Sequence, residues 1–468
     1  MPNFVNRERE LAALDRAVGR QPGLAVVSGR RRVGKTALLD RFCQTWAEDH
    51  PTGAAVFLPG TRAPVGEALR RLEERLRAVG TPAAGDLLDL GHLDSWDAAL
   101  GYLLARSGDA PLLVVLDEFP YLCEADAALP STLQARWDHR RQAQLSLVLA
   151  GSHVGLMENL VAADAPLFGR ADAHLRLQPF SWRHAGLLTG GGDPAAWTEA
   201  FVTVGGMPRY LSLWDPRHDA LTNLADLLDG PGAPLGDEGT VVLQELSPGS
   251  APARVLELVA LGANSFSVLR ERSGLAPATT SEALSSLEAL GFLDRLTPVG
   301  EDPRRTRRVR YQVRDPFLRL WLGVVLPHRD AFELGRGAGV LAANRTAVAA
   351  SQRQGFAALV RDWLGARELA PCGPWWGGVD GAGVDALALR GSTPAAAASA
   401  RWATGVDGAA GRAELGARLA ASPYPAPEEL LVVARAGSGV LTPADLHDDR
   451  NDNHDDHDES DPGAAIVG

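Results

Sequence analysis

The chain has 468 residues, 46% of them apolar and 22% charged, which is ordinary for a globular protein and long enough for roughly two to four domains. No apolar run approaches the roughly 18 residues of a membrane span and Met1–Glu8 has no signal-peptide pattern, so the expectation is a soluble, cytoplasmic protein with no membrane partner. Cys43, Cys123 and Cys372 are scattered without a C-x-x-C pair, which argues against a disulfide framework or structural zinc site, and the net charge of −12 includes −7 between His447 and Asp461, leaving −5 elsewhere and little information about partners.

Phe4–Leu11 opens an amphipathic helix whose buried face is expected to carry Leu11, Leu14 and Val18. Its place just ahead of the next motif suits either a cover over a nucleotide base or a helix on a sheet edge. The apolar run Leu24–Val27 then leads into Gly29-Arg30-Arg31-Arg32-Val33-Gly34-Lys35-Thr36, which fits the phosphate-loop pattern G-x-x-x-x-G-K-[ST]. Glycine at Gly29 and Gly34 lets the backbone curl so that its N–H groups face phosphate oxygens, and the helix that follows adds the positive end of its dipole. Lys35 is placed to reach the β- and γ-phosphates of ATP, and Thr36 to ligate Mg²⁺. Lys35 is also the only lysine; the other 45 of the 46 basic residues are arginine. A compact ammonium is kept where a planar guanidinium would not fit.

A short strand is predicted at Gly53–Leu58 and a charged helix at Gly66–Val79. Pro111–Leu116 is continuously apolar, as in a strand buried on both faces, and ends in Asp117-Glu118. At the carboxyl end of a parallel strand Asp117 is placed to order the Mg²⁺ shell and Glu118 to polarise the attacking water. Leu145–Ala150 is the next strand, followed by Gly151-Ser152, with Ser152 in position to sense the γ-phosphate. Arg170 is a candidate arginine finger, and His174–Leu177 is a fifth strand. The fold class is α/β: a P-loop NTPase with a parallel five-stranded sheet, an additional strand between the two nucleotide motifs, and a helical lid from Phe180, the domain spanning residues 1–235.

Three helices and two strands between 245 and 325 read as a winged helix. Its wing holds Arg304, Arg305, Arg307, Arg308 and Arg310, an electrostatic footprint for DNA, although wings of this kind also serve as lids or protein contacts. Residues 330–445 form a small α/β unit with strands at Gly383–Leu389 and Leu430–Ala434. Residues 446–468 are expected to be an acidic disordered tail.

In order along the chain, Phe4-Val5-Asn6-Arg7-Glu8, the phosphate loop, Leu116–Leu122, Gly151-Ser152, Pro166–Arg170, Gly205–Leu211 and Arg314–Phe317 resemble the archaeal-type P-loop ATPases of the AAA+/STAND grouping. The resemblance runs from about residue 2 to about residue 440 and implies an ATPase, a winged helix and a nuclease-like domain of the PD-(D/E)xK kind. That last fold implies an Asp and, on the next strand, Glu-x-Lys; Asp385 matches the first, but Ser399 and Arg401 stand at the other two positions. Glu414, Glu428 and Glu429 are the nearest downstream glutamates. With one carboxylate and no lysine the nuclease-like domain is expected to be degenerate.

The expected function is an ATP-binding, nucleotide-dependent switch that hydrolyses ATP slowly or conditionally and works through an unknown protein partner. Two alternatives stand beside it: a winged-helix nucleic-acid binder regulated by ATP, and an active nuclease effector.

Overall fold

Three continuous apolar runs set the architecture of the first half. A computed structural model describes residues 4–19, 21–79, 92–108, 110–140, 143–246, 249–377 and 383–449. The chain divides at Pro179/Phe180 into two compact units. In the first, strands β1 (Gly23–Ser28), β2 (Ala54–Pro59), β3 (Leu112–Asp117), β4 (Leu145–Gly151) and β5 (Ala173–Arg176) form one parallel sheet in the order β2-β3-β4-β1-β5. Every residue of β1, β3 and β4 is buried, as expected where helices cover both faces. The helices are α1 (Glu8–Val18), α2 (Lys35–Asp49), α3 (Val65–Ala78), α4 (Trp96–Arg106), α5 (Phe119–Ala125), α6 (Leu129–Trp137) and α7 (Val154–Val161). Leu69, Leu72 and Leu76 of α3 and Leu100 and Leu103 of α4 pack with Val56, Val114 and Leu147 of the sheet. Each fully buried leucine of this kind stabilises the fold by about 1.5–3 kcal/mol.

The α1 face differs from its expected composition. Leu14, Ala17 and Val18 are the buried residues, while Leu11 is only half-buried, because the helix rolls its Ala17 side toward the sheet.

The second unit begins with α8 (Trp182–Leu188), α9 (Pro194–Val204), α10 (Pro208–Leu211), α11 (Ala220–Leu228) and α12 (Glu238–Glu245). This helical stretch, grouped with residues 1–235 from the sequence, lies in the compact unit that starts at Phe180. Glycine allows two close approaches here. A Cβ on Gly186 would lie 2.1 Å from the Trp197 ring, and one on Gly206 would lie 1.9 Å from the Phe180 carbonyl oxygen.

Next come α13 (Ala251–Ala260), α14 (Phe266–Ser273) and α15 (Pro277–Ala289), then an antiparallel hairpin of β6 (Leu293–Leu296) and β7 (Arg310–Val313). Helices α16 (Pro316–Leu320), α17 (Arg329–Glu333) and α18 (Gly337–Ala343) lead to the 24-residue α19 (Arg345–Glu368). The Gly205–Tyr210 and Arg314–Phe317 motifs meet: Tyr210 and Phe317 rings lie 4.6 Å apart, and Gly205 abuts Pro316. Those motif residues therefore pack. Arg319 is buried nearby and donates to the Val313 carbonyl (3.0 Å) and to both oxygens of Ser351 (3.0 and 2.9 Å); burial pulls its pKa down to about 10, so it stays charged at neutral pH.

A four-stranded sheet follows, ordered β12-β10-β9-β8, built from β8 (Cys372–Trp376), β9 (Gly383–Arg390), β10 (Thr393–Arg401) and β12 (Glu429–Ala434), with the two-residue β11 (Val406–Asp407) outside it. β8/β9 and β9/β10 are antiparallel; β10/β12 is parallel. α19 packs on the face carrying Ala386, Ala388, Ala396 and Ala398, and α20 (Gly408–Ala420) on the face carrying Leu387 and Leu389. β10 begins at Thr393, earlier than the strand expected near Ala398, because its alanines are small enough to let α19 close over them.

The acidic tail starts later than 446. Leu446 is fully buried, and α21 (Pro443–Asp448) continues the fold, with the His447 ring 5.0 Å from Trp197. His454, His457 and the rest of the tail lie outside the described residues.

These close contacts give a stability contrast. Gly206→Ala is expected to lower the unfolding free energy by roughly 1–3 kcal/mol or more, since backbone must move. Gly339→Ala in α18, where a Cβ meets nothing within 4 Å, is expected to raise it by about 0.5–1 kcal/mol. Urea unfolding midpoints of the two variants check both signs.

Candidate active site

All five strands of the first sheet point the same way, so their carboxyl ends share one edge. β4 pairs with β1 on one side, Ser28 opposite Gly151, and with β3 on the other, Leu116 opposite Leu149. One strand therefore separates the phosphate loop from Asp117-Glu118, and Ser152 directly follows the end of that strand.

The loop Gly29–Gly34 turns through positive φ at Gly29, Arg32 and Gly34 (153°, 68° and 99°), and α2 starts at Lys35. Gly29 has no room for a side chain, since a Cβ would lie 2.9 Å from the Leu177 carbonyl oxygen. Val33 is buried, whereas Arg31 and Arg32 face solvent. The Lys35 side chain is buried and its Nζ donates to the carbonyls of Gly29 (2.8 Å) and Arg30 (3.2 Å). It is thus held at the mouth of the loop.

Thr36 Oγ1 donates to Asp117 Oδ2 at 2.8 Å, and the Glu118 N–H donates to Asp117 Oδ1 at 2.9 Å. Burial raises the Asp117 pKa, and these hydrogen bonds oppose the rise. A buried carboxylate beside a hydroxyl is a hard-oxygen donor set, which fits Mg²⁺ completed by water and phosphate oxygens. Glu118 takes a left-handed backbone conformation (φ 47°, ψ 44°). Its Oε2 accepts from Ser152 Oγ (2.8 Å) and from the Ser152 N–H (3.2 Å). Lys35, Thr36, Asp117, Glu118 and Ser152 are thereby brought to one edge.

Arg170 is placed differently. It makes a two-pronged pair with Asp138, both contacts 2.8 Å, on the exposed surface.

Arg7 adds a contact that the sequence did not assign. It is 7% exposed, sits at φ 87° after Asn6 at φ 58°, and donates to the carbonyls of Val33 (3.2 Å) and Gln178 (2.7 Å) and to Glu10 (2.6 Å). It ties the phosphate loop to the end of the sheet. The only sequence signal was its place in the Phe4–Glu8 motif.

Residues 4–213 match the family described as an ATPase domain predominantly from Archaea. The chain carries an archaeal-type P-loop ATPase domain. The match extends through α8–α10, beyond the first compact unit. An uncharacterized protein of Methanocaldococcus jannaschii is 24% identical over 343 residues, 71% of each chain. Among solved structures, the Walker-type ATPase of Pyrococcus abyssi is similar at 19% identity and a TM-score of 0.47, over 68% of this chain and 96% of that one. The Aeropyrum pernix ORC2 protein in its ADPNP–ADP complexes is similar at 16% identity and a TM-score of 0.44, over 70% and 96%. Among the described residues no helix is long and apolar enough to cross a membrane.

The loop geometry makes the first site prediction. Lys35→Ala is expected to abolish or severely weaken ATP binding, because it removes the ammonium poised on the Gly29 and Arg30 carbonyls. Isothermal calorimetry that finds unchanged affinity overturns the assignment of the loop.

Proposed function

We propose that this ATPase is a nucleotide-dependent switch whose hydrolysis is slow until a partner or a conformational change releases its base. The observation that supports it is the grip of Ser152 on Glu118. The Glu118 carboxylate accepts two hydrogen bonds there, both on one of its oxygens. Its Oε2 is directed at Ser152 rather than at a water beside a γ-phosphate. Breaking the grip frees Glu118 to take a proton from water, and Ser152 to face the phosphate. Lys35 swings its ammonium from backbone carbonyls to phosphate oxygens, while Thr36 and Asp117 hold Mg²⁺, which neutralises phosphate charge. Arg170 contributes after exchanging Asp138 for a phosphate, an exchange that a solvent-screened surface pair permits.

Two substitutions separate restraint from chemistry. Glu118→Gln is expected to keep ATP binding and lower phosphate release by about 10²-fold or more, the usual worth of a positioned base. Ser152→Ala is expected to raise basal phosphate release with ATP affinity little changed. If Ser152→Ala instead slows turnover as Glu118→Gln does, Ser152 serves the chemistry and the restraint model fails.

A second reading, a winged helix that binds nucleic acid under ATP control, draws on the loop between β6 and β7. Arg304, Arg305 and Arg307 are exposed there, while Arg308 pairs with Glu301 and Arg310 stacks on Trp376.

For residues 330–445 we propose a nuclease-like fold that cuts nothing. Ala398 pairs with Ala386, so Ser399 comes opposite Asp385, where the family pattern has its second carboxylate. Asp385 Oδ2 accepts from the Ala400 N–H (2.9 Å), and Arg401, always protonated, contacts Ser399 Oγ at 3.3 Å. Supercoiled plasmid incubated with the protein and Mg²⁺ or Mn²⁺ is expected to stay intact. Nicking that disappears in Asp385→Ala overturns the proposal.

A further inference from the structure

The hairpin loop and the nuclease-like sheet are joined by specific contacts. The Val299 N–H donates to the Pro374 carbonyl (2.9 Å), and the Tyr424 hydroxyl donates to the Val299 carbonyl (2.7 Å). Val299 is buried against Trp375 of β8 and Leu415 and Leu419 of α20. The loop base is thus part of the core of the last domain, and the loop cannot move independently of it.

Arginines continue across this joint. Arg310 lies over the Trp376 ring at 4.4 Å. Trp376 pairs with Gly383 across β8 and β9, and the Gly383 carbonyl accepts from Arg418 at 3.3 Å. Glu414 then bridges Arg418 and Arg401, one carboxylate oxygen to each, and Arg401 reaches Ser399. Arg401 and Arg418 each keep about a third of their side chains exposed (32% and 33%). Among the described residues, four of the seven arginines at 304, 305, 307, 308, 310, 401 and 418 form ion pairs, with Glu301, Asp302 and Glu414, and the buried Asp385 carboxylate also feels Arg401 and Arg418.

The strip is electrostatically under-satisfied. Arg308 contacts Glu301, yet its Nε and Nη2 are buried without a hydrogen-bond partner. Burial, and then the Arg308 charge, push the Arg310 pKa below the ordinary guanidinium value. Like charges held together in partly buried positions gain from a polyanion that follows them. Glu414 holds both the Arg401 and the Arg418 guanidinium groups, and a phosphate chain that displaced it would find two forks matched to phosphate oxygens.

We propose that a nucleic-acid backbone binds along this strip, from the exposed loop arginines to the Arg401–Arg418 pair, so that the degenerate nuclease site serves as the far end of a binding track. The inference rests on the nucleic-acid reading above and extends it to residues outside the hairpin. The ligand chemistry is a phosphodiester chain, with duplex DNA as the form that an extended strip of phosphate contacts favours.

The test is fluorescence anisotropy of the full chain with a labelled 30-base-pair duplex, and with single-stranded RNA of the same length, between about 50 and 200 mM salt. Wild type is expected to bind duplex more tightly, with a steep salt dependence. Arg401→Ser with Arg418→Ser is expected to flatten the slope by about 1.8, the worth of two phosphate contacts. Arg304→Ser, Arg305→Ser and Arg307→Ser together are expected to flatten it by about 2.7. Glu414→Gln removes a competing carboxylate and is expected to tighten binding several-fold, a gain that misfolding does not produce.

Absence of wild-type binding to either nucleic acid overturns the nucleic-acid reading itself. Wild-type binding that the loop variant weakens, with no change in slope in the Arg401/Arg418 variant and no gain in Glu414→Gln, overturns the track alone. Tighter binding of the RNA overturns the choice of duplex.

Discussion

The order β2-β3-β4-β1-β5 is the constraint on which the nucleotide site depends. The two sequence motifs are separated by about eighty residues, and Thr36 still meets Asp117 at 2.8 Å. They meet because parallel strands bring their carboxyl ends to one edge and a single strand, β4, lies between β1 and β3. The same arrangement puts Ser152 within reach of Glu118. A shift of β4 by one residue would turn its side chains over and remove this contact. Close packing on both faces of β1, β3 and β4 resists such a slip, because every side chain of the strand would have to be refitted to its neighbours.

The second unit depends on absence of bulk. Gly186, Gly205 and Gly206 sit where a side chain would collide with Trp197, Pro316 or the Phe180 backbone. The alanines of β10 play the corresponding part against α19. Small residues fix close approach but hold little energy themselves, so the large residues they admit, including Trp197, Tyr210, Phe317 and Phe356, supply the apolar burial. The result leaves Ser399 and Asp385 on adjacent strands, with the Ala400 N–H donating to Asp385 Oδ2.

What the sequence made legible follows from the range of each interaction. The five strands and the phosphate loop are local patterns, and each appears within a residue or two of its expected place. Asp117 and Glu118 were readable as candidates because their buried strand follows a phosphate loop; an acid pair at a strand end says little alone. The Ser152–Glu118 contact was not readable: both residues could be named, but their hydrogen bond depends on strand order, which is a tertiary property. Arg7 was hidden for the same reason, since a buried guanidinium and an exposed one look alike in a chain with 45 arginines. The wing showed five arginines in sequence, yet Arg308 and Arg310 are engaged by Glu301 and Trp376, partners that spacing within the motif does not disclose. Leu446 and His447 were assigned to the tail on composition, which cannot register a helix docked on a distant tryptophan.

The distribution of basic residues gives these observations a common cause. Arginine forks hold the folded chain in fixed arrangements where they are buried, as where Arg319 donates to the Val313 carbonyl and to both oxygens of Ser351. Such a fork has its donors in one plane and resists rearrangement. The phosphate loop needs the reverse. Its cation rests on the Gly29 and Arg30 carbonyls, and in the proposed switch it leaves them for phosphate oxygens. An ammonium has three donors on a slim stem and can rotate from one set of acceptors to another, whereas a guanidinium has a fixed plane that the buried site at Lys35 would have to open to admit. On the proposed reading the chain's one lysine stands where a cation rotates between two sets of acceptors, while buried arginines such as Arg7 and Arg319 hold the fold through backbone carbonyls.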